Sequence, residues 1–401
     1  MSGAFGPQCP TGWGSYLVLR TAAPRFSYRV VACEVRGTAR EASRGSLETM
    51  RAIVKPSPGP GLEMTDVPIP TPGPSDVLIQ VKATSICGTD MHIRDWDPWA
   101  QTHVRVPLTV GHEVCGIVVD KGPTADGPEV GDLVSVESHV VCGQCRFCRT
   151  GKGHLCENTQ ILGVHRNGVY AEYVAVPAIN AWPDPSDMPY SIASLQENFG
   201  NAVHTVSVAN ISGRKVLVTG CGPVGVMAIA AARALGARAV YATDVSDYRL
   251  EMAHKLGAEY TWNPRRDQVI ELGMEATDGE GVDVLLEMSG APSAIQEGFS
   301  LLKPGGEAAL LGLSSGPIPF DLDDNVVFKG ATVHGVIGRR LWDTWYEMRG
   351  LLRAGAVDLG PLVTHRFALD DFEKAFDLMA SGECGKVVMF PDPDDADGPL
   401  S

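Results

Sequence analysis

Apolar and polar positions alternate over short stretches between residues 50 and 200. Segments 76–81, 116–119 and 133–136 each carry apolar residues, and turns with Gly and Pro, not a helical period, lie between such segments. Short apolar runs separated by turn residues are typical of strands. The first half of the chain is therefore predicted to form a β-rich domain, and its first strand is expected to begin at Met50.

From about residue 202 to residue 337 the pattern changes to strands that alternate with helices. The pattern predicts strands at 216–219, 239–243, 282–287, 308–311 and 332–336, with helices at 224–235 and 248–256. Such alternation indicates a parallel sheet covered on both faces. The fold class is thus α/β, with a β-rich domain and a doubly wound parallel sheet. Helices near 342–354 and 369–379 and a strand at 386–390 are expected to return to the first domain.

The two ends of the chain differ from this body in composition. Residues 1–49 carry six Arg and three acidic residues, whereas the whole chain has a net charge of -15. We predict that 1–49 is a weakly ordered N-terminal extension. The last eleven residues contain four Asp and three Pro, so 392–401 is predicted to be a solvated, disordered acidic tail.

Length and charge exclude some classes of function and partner. A chain of 401 residues with 44% apolar content has enough material for two cores. Its negative charge argues against a nucleic-acid or anionic-membrane partner, because both require clustered Lys and Arg. The most apolar stretch, 216–232, is interrupted by glycines and is too short to span a bilayer. No secretion signal opens the chain, and clustered thiols suit a reducing compartment, so a cytoplasmic location is expected.

Four of the ten cysteines form one C-x2-C-x2-C-x7-C run, made of Cys142, Cys145, Cys148 and Cys156. Four thiolates so close together predict a closed, tetrahedral, structural zinc site. Disulfides are the first alternative, although cysteines two residues apart bridge poorly. An iron-sulfur cluster is the second alternative, disfavoured by the long last gap.

A glycine-rich turn lies between the predicted strand 216–219 and an Ala-rich helix. It reads Gly220-Cys221-Gly222-Pro223-Val224-Gly225, which is the G-x-G-x-x-G pattern in the context that dinucleotide binding requires. Asp244 ends the next strand, where a carboxylate can accept ribose hydroxyls and repel a 2'-phosphate. NAD is therefore expected in preference to NADP. Arg249 either lies against the adenosine or is a solvated helix residue.

The nicotinamide half of the cofactor is expected near the ends of later strands of the same sheet, where ligands collect. The residues placed there are Leu311, Gly312, Leu313, Val336 and Ile337.

A second set of metal-capable residues lies in the β-rich part. Cys87, His112 and Glu113 lie on two glycine-containing segments, Cys87-Gly88-Thr89-Asp90 and Gly111-His112-Glu113. Three protein ligands with one open position are typical of catalytic zinc. Each residue alone would more often belong to the core, but their combination with a cysteine run and a nucleotide fold favours the catalytic interpretation.

These elements, in this order, resemble the zinc-dependent medium-chain alcohol dehydrogenases from Met50 to about Phe390. The resemblance is most specific in several long strings, namely 85–93, 96–101, 199–205, 286–292 and 364–367. It implies a GroES-like catalytic domain over 50–200 and 345–391, with a structural zinc lobe at 142–156. It also implies a Rossmann domain over 201–344.

The resemblance further implies roles for individual residues. Catalytic zinc would lie on Cys87, His112 and Glu113, which gives two zinc ions per chain with the structural one. Glu197 would be a fourth ligand or a nearby proton carrier, and Thr89 and His92 would form the proton path. NAD would be held by Gly220, Gly222, Val224, Gly225, Asp244, Arg249, Leu311 to Leu313, Val336 and Ile337.

The expected reaction is oxidation of the C3 hydroxyl of L-threonine to 2-amino-3-oxobutanoate by a homotetramer, again as the resemblance implies. A zinc-dependent polyol dehydrogenase acting on sorbitol or 2,3-butanediol is the nearest alternative, since its metal and NAD machinery would be nearly the same. A nonenzymatic protein that binds zinc and a nucleotide is the more distant alternative.

Overall fold

The computed structural model describes residues 48–314 and 316–401. Almost all of the predicted N-terminal extension lies outside these residues. The first described strand spans Thr49–Lys55 and includes Met50, where the sequence predicted the folded body to begin.

Among the described residues of the first half of the chain, strands are the commonest regular element. These strands are β1 Thr49–Lys55, β2 Glu63–Pro68, β3 Asp76–Ser85, β4 Leu108–Thr109, β5 Glu113–Lys121, β6 Leu133–Val136, β7 His139–Val140, β8 Gln160–Ile161, β9 Tyr173–Pro177 and β10 Ala181–Pro183. The later strands are β11 Lys215–Thr219, β12 Ala239–Thr243, β13 Tyr260–Trp262, β14 Val282–Glu287, β15 Leu302–Leu310, β16 Thr332–Gly335, β17 Val363–Ala368 and β18 Lys386–Phe390.

The α-helices are short in the first half and longer in the second. They are α1 Gly88–Asp95, α2 Pro98–His103, α3 Arg146–Arg149, α4 Tyr190–Ala193, α5 Gln196–Ser207, α6 Pro223–Ala234, α7 Asp247–Lys255, α8 Val269–Ala276, α9 Pro292–Leu301, α10 Asp343–Arg353 and α11 Phe372–Ser381. No helix among the described residues is long and apolar enough to cross a membrane.

The predicted β-rich domain is confirmed. Its main sheet has the order β10-β6-β5-β3-β18-β17, and β9 also pairs with β3. Buried and half-buried residues alternate along the first eight residues of β3, as expected for a strand with one face on a core. Strand β18 joins this sheet by pairing with β3, as predicted for 386–390, and the unpredicted strand β17 pairs with β18.

The predicted parallel sheet is also confirmed, with the order β13-β12-β11-β14-β15-β16. This order is that of a Rossmann fold, in which the connection reverses direction between the first and fourth strands. All five residues of β11 and of β12 are buried, because helices cover both faces. The reversal places a crevice at the carboxyl ends of β11 and β14, where a cofactor can bind.

Helix α5 connects the two sheets. Ten of its twelve residues are buried, and its apolar side chains share one core with residues of β5, β11 and α10. A helix buried on nearly every side in this way fixes whatever polar groups it carries.

The prediction of a disordered acidic tail is wrong for most of its length. Asp395 pairs with Lys82 at 3.0 Å, and Asp397 accepts hydrogen bonds from Arg366 Nε and the Ser191 amide at 3.0 and 2.8 Å. The composition gave no sign of this, because the partners come from distant parts of the chain. Charge complementarity to the domain surface orders the tail.

Candidate active site

The four cysteines of the predicted zinc lobe converge. Cys145 Sγ lies 3.6 Å from Cys148 Sγ, and Cys142 Sγ lies 3.5 Å from Cys156 Sγ. Ligands at about 2.3 Å around tetrahedral zinc would be about 3.8 Å apart, whereas a disulfide requires about 2.05 Å. The pKa of the Cys142 thiol is lowered to about 6, chiefly by the backbone amide of Gln144. The group therefore fits a metal and not a disulfide knot.

The glycine turn has the geometry that a dinucleotide requires. Gly220 has φ +90°, and a Cβ on Gly225 would lie 1.9 Å from the Gly220 carbonyl oxygen. These two glycines allow the turn and the close contact between helix and strand. A Cβ on Gly222 would meet nothing within 4 Å, so this position faces open space at the start of α6. A phosphate could approach the backbone amides there.

Asp244 lies directly against this turn. Its two carboxylate oxygens accept hydrogen bonds from the Cys221 amide at 2.7 Å and the Ser246 amide at 2.8 Å. The carboxylate thus orients the loop. Arg249 lies one turn into α7 with its Nε buried and without a hydrogen-bond partner among the described residues, which leaves a donor available to a ligand.

The other predicted cofactor residues lie beyond the ends of β15 and β16. The Leu311 and Gly312 amides both donate to the Glu287 carbonyl, whereas Leu313 is 88% exposed and Ile337 is 58% exposed. Val336 follows β16 and is partly buried against the shared core. These positions border the crevice at the carboxyl ends of the strands.

Glu287 is a residue of this region that the sequence reasoning missed. Its side chain is buried and accepts hydrogen bonds from the Ser289 and Gly290 amides at 2.9 and 3.0 Å. A Cβ on Gly312 would collide with Gly290, so the loops after β14 and β15 are in tight contact. An acidic residue at the end of a predicted buried strand was the available signal.

The structure brings together Cys87, His112 and Glu113, as predicted from their residue types. One ligand atom of each lies within 4.8 Å of the others. Oxygen Oε1 of Glu113 is buried and has no hydrogen-bond partner among the described residues. An orphaned carboxylate oxygen beside a thiol and an imidazole fits a metal ion, and zinc suits this donor set.

Local structure explains why these three side chains meet. Cys87 precedes α1, and its amide donates to Asp90, which is three residues further on. Glu113 begins β5 directly opposite Ser85, the last residue of β3. Gly111 has φ +87°, and the Tyr170 ring packs where its Cβ would be. The turn before His112 therefore requires glycine.

Asp90 is a buried carboxylate that lies close to the His112 imidazole. His112 Nδ1 lies 3.5 Å from Asp90 Oδ1, and the Tyr170 hydroxyl donates to Asp90 Oδ2. Burial alone would raise the pKa of Asp90, but His112 and the hydrogen bonds lower it. A carboxylate behind an imidazole fixes the ring for metal binding.

The predicted proton-path residues begin at the metal cluster and extend to the surface. Thr89 Oγ1 lies 3.9 Å from Cys87 Sγ, and His92 follows three residues later on α1. The His92 side chain is 57% exposed, and its Nδ1 lies 2.7 Å from Asp97 Oδ2. Residues three apart share a helix face, so Thr89 and His92 lie on the same side of α1.

The structure does not group Glu197 with the three metal-capable residues. Glu197 Oε1 instead accepts a hydrogen bond from the Ser138 hydroxyl and pairs with Arg339 Nη1 at 2.8 Å. Glu197 is therefore held by Ser138 and Arg339 and lies outside the group formed by Cys87, His112 and Glu113.

Arg339 is the second residue that sequence reasoning missed. Its buried guanidinium pairs with Glu137 as well as Glu197, and Glu137 also accepts from Trp345 Nε1 at 2.7 Å. Arg339 lies two residues after Ile337 and three after Val336. It therefore connects the segment at the predicted cofactor site to Glu137 and Glu197.

Comparison with known proteins defines the class. A family model described as "Zinc-binding dehydrogenase" matches residues 223–354, and one described as "Alcohol dehydrogenase GroES-like domain" matches residues 73–186. The chain therefore belongs to the zinc-dependent alcohol dehydrogenases, and the family and fold inferred from the sequence are confirmed.

The chain is also similar to individual proteins of this family. The chain is 50% identical over 342 residues to L-threonine 3-dehydrogenase of Pyrococcus horikoshii, covering 85% of this chain and 98% of that protein. A putative zinc-binding dehydrogenase of Sinorhizobium meliloti bound to NADP superposes with TM-score 0.79 at 29% identity, covering 86% and 100%. The 2R,3R-butanediol dehydrogenase of Bacillus subtilis superposes with TM-score 0.78 at 28% identity, covering 86% and 100%.

Proposed function

We propose that this enzyme oxidises L-threonine at C3 to 2-amino-3-oxobutanoate, with hydride transfer to NAD. One observation carries the chemistry: Cys87, His112 and Glu113 come together, and a buried Glu113 carboxylate oxygen has no hydrogen-bond partner among the described residues. The choice of threonine rests on relatives that are about half identical over nearly their whole length.

Two zinc ions per chain fit the two clusters. Cys142, Cys145, Cys148 and Cys156 offer four thiolates, which is a closed set suited to structure. Cys87, His112 and Glu113 offer three ligands, so a position stays open for substrate. Zinc bound there would polarise the C3 hydroxyl and lower its pKa, so that an alkoxide forms near neutral pH.

The chain's own residues then handle the proton. Thr89 lies beside Cys87 and can accept the proton of the substrate hydroxyl within a hydrogen-bonded path. His92, on the same face of α1 and exposed to solvent, can pass it to water. Glu197, held by Ser138 and Arg339, is proposed as a second proton carrier beside the cluster.

We propose NAD as the cofactor. The turn at Gly220, Gly222, Val224 and Gly225 would bind the pyrophosphate at the start of α6. Asp244 would accept the ribose hydroxyls and repel a 2'-phosphate, while Arg249 would lie against the adenosine. Leu311, Gly312, Leu313, Val336 and Ile337 would border the nicotinamide, since they follow the ends of β15 and β16.

The domain boundaries remain those inferred from the sequence. The Rossmann domain is proposed to span 201–344, because all six parallel strands lie between 215 and 335. The GroES-like domain is proposed to span 50–200 and 345–391, because β17 and β18 pair with the first sheet. The cytoplasm is proposed as the location on the ground of the free cysteine cluster.

We also propose that the enzyme is a homotetramer. Strand β16 pairs only with β15 among the described residues, so one edge of the parallel sheet is open. Near this edge Phe328 is 77% exposed and Val327 is 59% exposed. Open edges with apolar neighbours are rarely left to solvent, which supports self-association there.

The test is a substrate panel with the zinc-loaded chain. We expect a much higher kcat/KM for L-threonine with NAD than for 2,3-butanediol or sorbitol. The matched control is Cys87→Ser, which removes one ligand of the open metal site and should abolish turnover with every substrate. A preference for a polyol would transfer the assignment to the polyol dehydrogenases, and one zinc per chain without turnover would indicate a nonenzymatic binding protein.

A further inference from the structure

A buried lysine side chain lies behind the three candidate metal ligands Cys87, His112 and Glu113. Lys386 begins β18, and its side chain is 1% exposed. Its ammonium donates to Glu113 Oε2 and to the Ile86 carbonyl, the latter at 2.9 Å. The Ser85 hydroxyl donates to the same carboxylate oxygen. One lysine from the end of the chain thus contacts both segments that carry the candidate metal ligands Cys87 and Glu113.

The two oxygens of Glu113 therefore differ completely in their surroundings. Oxygen Oε2 has two donors, whereas Oε1 is buried and has none among the described residues. Glu113 offers one of its oxygens to the group that also contains Cys87 and His112. We propose that Lys386, helped by Ser85, is a positioning residue that limits Glu113 to one metal-facing oxygen. This inference rests on the metal site of the proposed function.

The charge balance gives this arrangement a specific consequence. A buried carboxylate without a countercharge is strongly unfavourable. Lys386 supplies that countercharge whether or not a metal is bound. Without it, Glu113 would be stabilised most by giving both oxygens to the metal. The metal would then be held more tightly, and the position that should receive substrate would be filled.

The direction of the change in zinc affinity distinguishes a positioning role for Lys386 from a purely structural one. A residue that only supports the fold would loosen the metal when it is replaced. A residue that keeps Glu113 to one oxygen would tighten the metal when it is replaced, and substrate binding would weaken at the same time. The effect should also disappear when Glu113 has no charge.

The experiment compares Lys386→Met with the wild type as full-length, zinc-loaded proteins. The readout is the rate at which zinc passes to an excess of a colorimetric chelator. We expect the zinc at Glu113 to leave at least about tenfold more slowly in Lys386→Met, with a raised KM for L-threonine. Zinc in the four-cysteine lobe should leave at the wild-type rate and is the internal control.

Three further variants sharpen the result. Lys386→Arg keeps the charge and should stay within about threefold of the wild-type rate. Ser85→Ala removes the weaker donor, so it should slow zinc loss in the same direction by a smaller factor, and it carries the test if Lys386→Met does not fold. Lys215→Met is the matched control, because Lys215 is also buried and paired, but it begins β11 of the parallel sheet and its partner is Glu280.

The outcomes are distinct. Faster or unchanged zinc loss in Lys386→Met or Ser85→Ala would overturn the role of Lys386, as would the same shift when Lys386→Met is combined with Glu113→Gln. A wild-type protein that holds a single zinc, in the four-cysteine lobe, would instead contradict the proposed metal site. Slower loss that depends on Glu113 would support the inference.

Discussion

Replacing Arg339 with methionine is expected to be the most destabilising single change in the region between the two sheets. Both Arg339 and Glu137 have fully buried side chains, and their ion pair includes two guanidinium nitrogens. Nη1 of Arg339 also lies 2.8 Å from Glu197. Removing the cation leaves two carboxylates in a buried site without their countercharge.

The magnitude follows from burial. Removing one partner of a buried ion pair typically costs about 3 to 5 kcal/mol, because the remaining charge is buried without a countercharge. The Trp345 indole still donates to Glu137 at 2.7 Å, which offsets part of that cost. We therefore expect Arg339→Met to lower the free energy of unfolding by about 3 kcal/mol. Adding Glu137→Gln should recover about 2 kcal/mol, since the two residues are in direct contact.

The assay is urea denaturation of the zinc-loaded protein, followed by circular dichroism. Arg233→Met is the matched control, because Arg233 pairs with Glu259 at 2.7 Å but both side chains are more than 40% exposed. Exposed pairs contribute about 0 to 1 kcal/mol. A loss of less than about 1 kcal/mol in Arg339→Met, or additive effects of the Arg339 and Glu137 changes, would refute the reasoning.

Three further predictions follow from single groups. Cys145→Ser should reduce bound zinc from two to one per chain and lower the thermal midpoint, measured by elemental analysis and calorimetry; unchanged zinc would contradict the lobe assignment. Asp244→Ser should raise KM for NAD by about tenfold and lower KM for NADP, measured by initial rates; an unchanged ratio would argue against the ribose contact. Burial raises the pKa of Asp184, so its contribution to stability is present at low pH and is lost as pH rises through that raised value. Asp184→Asn should therefore gain stability relative to wild type from pH 4 to pH 7, and parallel stability curves would contradict this.

Local patterns were sufficient for both sheets and for most of the candidate site. The glycine turn, the cysteine run and the Gly-His-Glu segment each depend on residues close together in sequence, so spacing alone was informative. The chain order also predicted that the strand at 386–390 returns to the first domain; β18 does pair with β3, whereas its neighbour β17 was not predicted.

Long-range polar contacts could not be predicted in the same way. Nothing in the sequence around Arg339 and Lys386 marks them as buried. Their partners Glu137 and Glu113 lie 202 and 273 residues away, respectively. Burial of such charges depends on the docking of complete elements. The prediction of a disordered acidic tail was wrong for the same reason. The contacts of Asp397 are with Arg366 and the Ser191 amide, which are distant in sequence.

The central claim is that hydride passes from C3 of L-threonine to NAD at the site formed by Cys87, His112 and Glu113. The most direct measurement is the isotope content of NADH made by the zinc-loaded protein from L-threonine that carries deuterium at C3. We predict one deuterium at C4 of the nicotinamide in each NADH formed. NADH without deuterium, or no NADH from threonine under conditions in which a polyol is oxidised, would contradict the account.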